Sequence, residues 1–267
     1  LQMMIGKINQ FNFKSLLILN TFALIVTSYF FKNFICLGVY TLFFFISLFT
    51  TKNGLKTIKK LNLLQNIRTE GPSNHFKKSN TPTMGGIFMI IPFLIFLLII
   101  TINLGSLKLL LLLFTIFGFF FTGFLDDYLS IKNRKNTGLK SKEKFILQSI
   151  ISIIFIFIAY ENDLINPLIK ISESWEINTS IFIFPISFLV LVGISNSVNL
   201  TDGLDGLAAG CSGIVFYGLG TEILMKEQKE LFVFSLLCYS MSGICLGFLK
   251  YNNYPAKIFM GDTGSLS

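Results

Sequence analysis

The chain has 267 residues, 52% of them hydrophobic and only 13% charged, with mean hydropathy +0.69 and a net charge of +8. A soluble domain of this length rarely carries so little charge, so the composition excludes an ordinary soluble enzyme and points to a multi-span membrane protein. The positive balance does not indicate nucleic acid as a partner, because the basic residues lie in short loops between apolar runs, the pattern of the cytoplasmic side of membrane proteins.

A bilayer core takes about 20 apolar residues per helix. In chain order the candidate spans are Ser15–Phe31, Phe34–Thr50, Gly85–Ile102, Leu107–Leu125, Phe145–Tyr160, Ile181–Val198, Leu204–Leu219 and Leu231–Leu249. The first two lie so close together that they read either as a hairpin or as one long tilted segment. The first lacks a small-residue cleavage site and another run follows at once, so it reads as a retained span rather than a signal peptide. The predicted fold is therefore all-α: a polytopic transmembrane helix bundle of about eight spans, forming a single integral membrane domain over residues 1–267. Cys36, Cys211, Cys238 and Cys245 are scattered through the apolar runs without metal-ligand spacing and read as small core or lipid-facing residues.

The loops orient the bundle. Residues 51–84 carry Lys52, Lys56, Lys59, Lys60, Arg68, Lys77 and Lys78 against Glu70, and residues 126–144 carry Lys132, Arg134, Lys135, Lys140, Lys142 and Lys144. Both are read as cytoplasmic loops. Residues 161–180 carry Glu161, Asp163, Glu173 and Glu176 and are placed outside. Span parity then returns Asn199–Asp205 and the stretch after Lys250 to the cytoplasmic side, with Lys32 as the one departure.

Four polar clusters fall on that side. The first runs from Gly71 to Gly86 and includes His75, Lys77, Lys78 and Thr81-Pro-Thr-Met-Gly-Gly86. It reads as a rigid turn and helix start, with lysines suited to phosphate or anionic lipid. The second is Asp126-Asp127 at the end of an apolar run, where adjacent carboxylates are costly unless water, lysine or a metal compensates them. The third is Asn196–Ala208, with Asn199, Thr201, Asp202 and Asp205. If Asp202 and Asp205 begin a helix, their spacing puts both on one face; helix capping is the bland alternative. The fourth, Phe259-Met-Gly-Asp262-Thr-Gly-Ser265, is a glycine-flanked aspartate with hydroxyls. Five aspartates on one membrane face with lysines around them suit Mg²⁺, and Mg²⁺ suits phosphate chemistry. A soft-metal site is disfavoured, because cysteine is absent there and His75 is the only histidine. These residues describe a membrane-embedded, Mg²⁺-dependent enzyme acting on a phosphate or diphosphate.

The order and content of Thr81–Gly86, Asp126-Asp127-Tyr128, Asn199–Ala208 and Phe259–Leu266 resemble the phospho-N-acetylmuramoyl-pentapeptide-transferase branch of the polyprenyl-phosphate N-acetylhexosamine-1-phosphate transferase superfamily, over about Gln65 to the end. The resemblance implies transfer of a phospho-sugar from UDP-N-acetylmuramoyl-pentapeptide to undecaprenyl phosphate, giving lipid I and UMP in the first membrane step of peptidoglycan synthesis. It implies a multi-pass protein of the bacterial inner membrane with its site on the cytoplasmic face, and Mg²⁺ as cofactor. It makes Asp262 and Asp202 metal ligands, and Asp126 and Asp127 the pair that binds or deprotonates the lipid phosphate. Asn199, Asp202 and Asp205 become nucleotide and metal-site residues, Lys78 and Phe259 nucleotide-pocket residues, Thr83 a substrate-binding residue and Lys144 a basic group near the phosphates. The oligomeric state is left open, a homodimer among the options.

The chain departs from the family pattern at Ser130, where the family often has lysine, and at Asn80, where it usually has glycine. The family also has a histidine-rich loop and further spans beyond the position of Ser267, so the chain is expected to be a fragment, inactive without them. The rival readings are a transferase of N-acetylglucosamine 1-phosphate to a polyprenyl phosphate, a membrane transporter and, least favoured, a scaffold. No internal repeat and no isolated mid-span charge supports the transporter.

Overall fold

The computed structural model describes residues 13–31, 33–60, 81–133, 138–172 and 175–267. Its helices are α1 (Phe13–Phe30), α2 (Phe34–Lys60), α3 (Gly86–Leu104), α4 (Leu107–Lys132), α5 (Ser141–Glu161), α6 (Ile183–Thr201), α7 (Leu207–Met225), α8 (Phe232–Asn252) and the single turn α9 (Asp262–Ser265). Eight of them are long and apolar enough to cross a membrane, matching the expected all-α bundle. The first two apolar runs are separate helices. The segment between α5 and α6, expected to be loop, contains an antiparallel hairpin of β1 (Leu168–Ser172) and β2 (Trp175–Asn178) with Ile169 opposite Ile177.

Both loops read as cytoplasmic prove shorter than expected. Residues 51–60 continue α2, residues 126–132 continue α4, and α5 begins at Ser141. Helical hydrogen bonding does not stop where apolar residues stop. In the last turns of α2, Thr51, Gly54 and Ile58 are buried while Lys52, Lys56, Lys59 and Lys60 are exposed, so an amphipathic stripe carries the helix on. The chain from 61 to 80, with His75, Lys77 and Lys78, lies outside the described residues.

α8 is the centre of the bundle, with 67% of its span buried. It packs mainly on α2 and α7. Without a hydrophobic effect between lipid-solvated helices, close contact depends on small residues and interhelical hydrogen bonds. Gly243 and Gly247 let the α8 backbone approach the carbonyls of Tyr40 and Phe44. Ser47 Oγ donates to the Ile244 carbonyl at 2.8 Å and Ser242 Oγ to the Gly213 carbonyl at 2.7 Å. The outward surfaces stay apolar, as at Phe22, Ile102, Phe157 and Ile194, which suits lipid. The ends of α4 and α6 and the starts of α3 and α5 meet α9 at one end of the bundle, and the described residues of the polar clusters gather there.

Candidate active site

The scaffold of the site is a pairing of two motifs far apart in sequence. Phe259 N–H donates to the Pro82 carbonyl at 2.8 Å, Gly85 N–H to the Phe259 carbonyl at 2.9 Å and Gly86 N–H to the Met260 carbonyl at 2.8 Å. Met84 sits between them at φ 64 and is 3% exposed. A left-handed methionine costs about 1 kcal/mol or more and persists because the flanking bonds over-determine it. A side chain at Gly86 would strike the Gly264 backbone, and one at Gly123 the Asp262 carbonyl. Glycine at these two positions lets α3 and α4 close on the α9 turn. Thr83 is buried beside this pairing.

The two adjacent aspartates at the end of α4 do different work. Asp127 clamps the turn: its Oδ1 accepts Asp262 N–H at 3.2 Å, and its Oδ2 accepts Thr263 N–H at 2.9 Å and the Thr263 hydroxyl at 2.6 Å. Asp126 turns the other way. Its Oδ1 accepts Leu139 N–H at 2.7 Å, and its Oδ2 lies 3.1 Å from Lys144 Nζ. Lys144 also pairs with Asp262 Oδ2, so one cation bridges two carboxylates. α5 presents that lysine in its first turns, where Lys140 N–H donates to the Glu143 carboxylate at 2.8 Å.

From α6, Asn199 Nδ2 donates to Asp262 Oδ1 and to Ser265 Oγ, each at 2.8 Å. One turn earlier, Ser195 Oγ donates to the Leu266 carbonyl at 2.6 Å. Gln148 is buried on α5; its Nε2 donates to Ser195 Oγ at 3.4 Å while its Oε1 accepts Asn196 Nδ2 at 2.9 Å.

Carboxylate oxygens of Asp126, Asp127 and Asp262 lie within 4.8 Å of one another. Three carboxylates against one lysine leave excess negative charge, and their hard oxygens fit a divalent cation such as Mg²⁺. Asp202, expected as a ligand, is not in this group. It lies where α6 ends, in a turn between α6 and α7 rather than in a helix start. Burial, then the negative charges of Asp127 and Asp262, push its carboxyl up to about 8, against the pull of the Gly261 N–H. Asp205 turns elsewhere: its Oδ2 accepts Ala256 N–H at 3.1 Å. Asn252 secures the same corner, accepting Gly206 N–H at 3.1 Å and donating to the Ile258 carbonyl at 2.9 Å. The spacing of three therefore does not bring Asp202 and Asp205 to one carboxylate cluster. Phe259 is placed by its backbone, through the bonds to Pro82 and Gly85. Lys78 lies outside the described residues.

Sequence reasoning missed Gln148, Ser195 and Asn252. Gln148 had a signal, since it is a polar residue in an apolar run four positions after Lys144 and so on the same helix face.

The family model for glycosyl transferase family 4 matches residues 109–267, and a phospho-N-acetylmuramoyl-pentapeptide-transferase signature matches residues 78–90. The chain is 84% identical over 264 residues to a phospho-N-acetylmuramoyl-pentapeptide-transferase of Prochlorococcus marinus strain MIT 9312, covering 99% of this chain and 74% of that relative. It is 60% identical over 265 residues to the protein of that name from Prochlorococcus marinus subsp. pastoris, with 99% and 74% covered. It is 43% identical over 212 residues to the one from Listeria monocytogenes, covering 78% of this chain and 64% of that relative.

Proposed function

Since the chain belongs to glycosyl transferase family 4, in its phospho-N-acetylmuramoyl-pentapeptide-transferase branch, we propose that it moves phospho-N-acetylmuramoyl-pentapeptide from its UDP carrier to undecaprenyl phosphate, forming lipid I and UMP. The observation that carries this reading at the site is Lys144 held between Asp126 and Asp262, with Asn199 fixing the other oxygen of Asp262.

An oxygen of the lipid phosphate attacks the β-phosphorus of the nucleotide sugar. A new P–O bond forms, the bond from that phosphorus to the bridging oxygen breaks, and UMP leaves with the bridging oxygen. Little covalent help is needed, so positioning and charge neutralisation carry the catalysis. Lys144 offsets charge on the phosphates. Asp126 takes the remaining proton when the lipid phosphate arrives as a monoanion; its second pKa near 6 makes the dianion the main form at neutral pH. Asp127 builds the turn that aims Asp262. Asp126, Asp262 and, at one remove, Asp127 would hold Mg²⁺, which neutralises developing phosphate charge when bound. Thr83, Asn199, Asp202, Asp205, Phe259 and Lys78 are assigned to substrate binding.

The site is assigned to the cytoplasmic face of the plasma membrane. Lys59, Lys60, Lys132 and Lys250 occupy the last turns of helices ending on its side, as the positive-inside rule requires.

The reading is tested by UMP release in detergent with undecaprenyl phosphate as acceptor, comparing UDP-N-acetylmuramoyl-pentapeptide with UDP-N-acetylglucosamine. Release with the pentapeptide donor alone is expected. Release with the N-acetylglucosamine donor alone would move the protein to the other branch of the superfamily.

A further inference from the structure

We propose that Gln148 is a positioning residue for this transfer, holding the helix that carries Lys144 in register with the turn that carries Asp262. The inference rests on the transferase reading above.

Gln148 lies one helical turn after Lys144 on α5, so the two side chains leave the same face. Lys144 reaches Asp126 and Asp262. Gln148 reaches α6 with both ends of its amide: its oxygen accepts Asn196 Nδ2 at 2.9 Å and its nitrogen donates to Ser195 Oγ at 3.4 Å. Ser195 passes the connection on, donating to the Leu266 carbonyl at 2.6 Å. Leu266 N–H in turn donates to the Asp262 carbonyl at 3.1 Å. One relay thus runs from α5 through α6 to the backbone of Asp262. A second contact between α6 and the turn is Asn199 on the Asp262 carboxylate.

Gln148 is 1% exposed and Ser195 8% exposed. Neither side chain needs to touch substrate for this role. Both sit inside a helix bundle where water is scarce, so an unmade hydrogen bond has no cheap replacement. Glutamine also does what an apolar residue cannot: it satisfies a donor on Asn196 and an acceptor on Ser195 together. Packing of α5 on α6 alone would leave small rotations about the helix axis free. A rotation that moves Lys144 away from Asp262 weakens charge neutralisation at the phosphates, and an error of about 1 Å costs on the order of 100-fold in rate.

The test compares Gln148→Leu, Gln148→Glu and Ser195→Ala in the full-length enzyme, by steady-state UMP release and by hydrogen exchange of the peptide covering 259–267. Leucine has similar size and no polar group. Glutamate in this buried site stays protonated at neutral pH and keeps one donor and one acceptor. Gln148→Leu is expected to lower kcat by about 10- to 100-fold, with KM for the nucleotide sugar changed less than about twofold. Exchange should rise at 259–267 while the remaining peptides are unchanged. Gln148→Glu should restore most of kcat at neutral pH and lose it as pH rises through the glutamate's own titration. Ser195→Ala should resemble Gln148→Leu, and the double variant should be no slower than the slower single one, because both cut the same relay.

Wild-type kcat in Gln148→Leu, equal impairment of Gln148→Leu and Gln148→Glu at every pH, or fully additive losses would each overturn the proposal. A variant that loses thermal stability without a change in kcat would reduce Gln148 to a packing role and overturn it as well. Wild-type protein that releases no UMP removes the transferase reading and this inference together; active wild-type protein with unaffected variants removes the inference alone.

Discussion

The adjacent aspartates at the end of α4 look interchangeable in sequence and are not so in space. Asp127 accepts three donors from the α9 turn, whereas Asp126 faces Lys144. Asp127→Asn keeps one acceptor oxygen for three donors and turns its NH₂ on the rest, leaving at least one of them unsatisfied, a cost of about 1–3 kcal/mol. It is expected to lower the thermal midpoint together with activity. Asp126→Asn keeps one acceptor for Leu139 N–H and loses the ion pair with Lys144, so the midpoint should fall modestly while kcat falls at least about 100-fold through lost charge at the phosphates and metal; retained turnover would remove Asp126 from the chemistry. Asp202 yields a pH prediction. Its carboxyl, raised from 3.8 to about 8, holds a proton in the metal-free folded protein that the unfolded chain has released. Stability from this group therefore declines as pH rises between those values. Loss of that proton adds a negative charge beside the carboxylate cluster. Mg²⁺ affinity, followed by titration at pH 6.5 and pH 8.5, should be tighter at the higher pH in wild type, with a smaller difference in Asp202→Asn; an unchanged difference in the variant would separate Asp202 from the metal-binding charge.

At the scale of elements, the bundle depends on the approach of α2 and α8. Gly243→Val would drive a side chain into the Tyr40 carbonyl, and overpacking of this kind costs about 1–3 kcal/mol or more. Thermal unfolding in detergent should show that loss. Gly193→Ala, with nothing within 4 Å of the added methyl, should be neutral or stabilising by up to about 1 kcal/mol. Equal effects would mean that the α2–α8 contact is not the tight one. The helices themselves were legible because about 20 apolar residues in a row have few other uses. Their ends were not. Hydropathy marks where the membrane core stops, and α2 runs on to Lys60 on an amphipathic stripe. The β1–β2 hairpin was also missed, since its exposed residues carry no buried alternation to read. Most motif residues were legible by type, but their orientations were not. Which of Asp126 and Asp127 meets the turn depends on helix rotation, and Asp205 faces Ala256 because the chain turns before α7.

For the whole molecule, the site gathers Asp126, Lys144, Asn199 and Asp262 from four helical elements, and Thr83 from the segment before α3, at one end of a membrane bundle. Only the packed bundle brings these charges together, and it leaves more carboxylate than lysine there. That imbalance is the physical reason for expecting a divalent cation. The most direct test is the rate of UMP release from UDP-N-acetylmuramoyl-pentapeptide and undecaprenyl phosphate as Mg²⁺ is varied, for wild type beside Asp262→Asn. The account predicts saturable dependence on Mg²⁺ for wild type, no release without it, and an Asp262→Asn rate lower by at least about 100-fold. Release that is independent of Mg²⁺, or undiminished in Asp262→Asn, would contradict it.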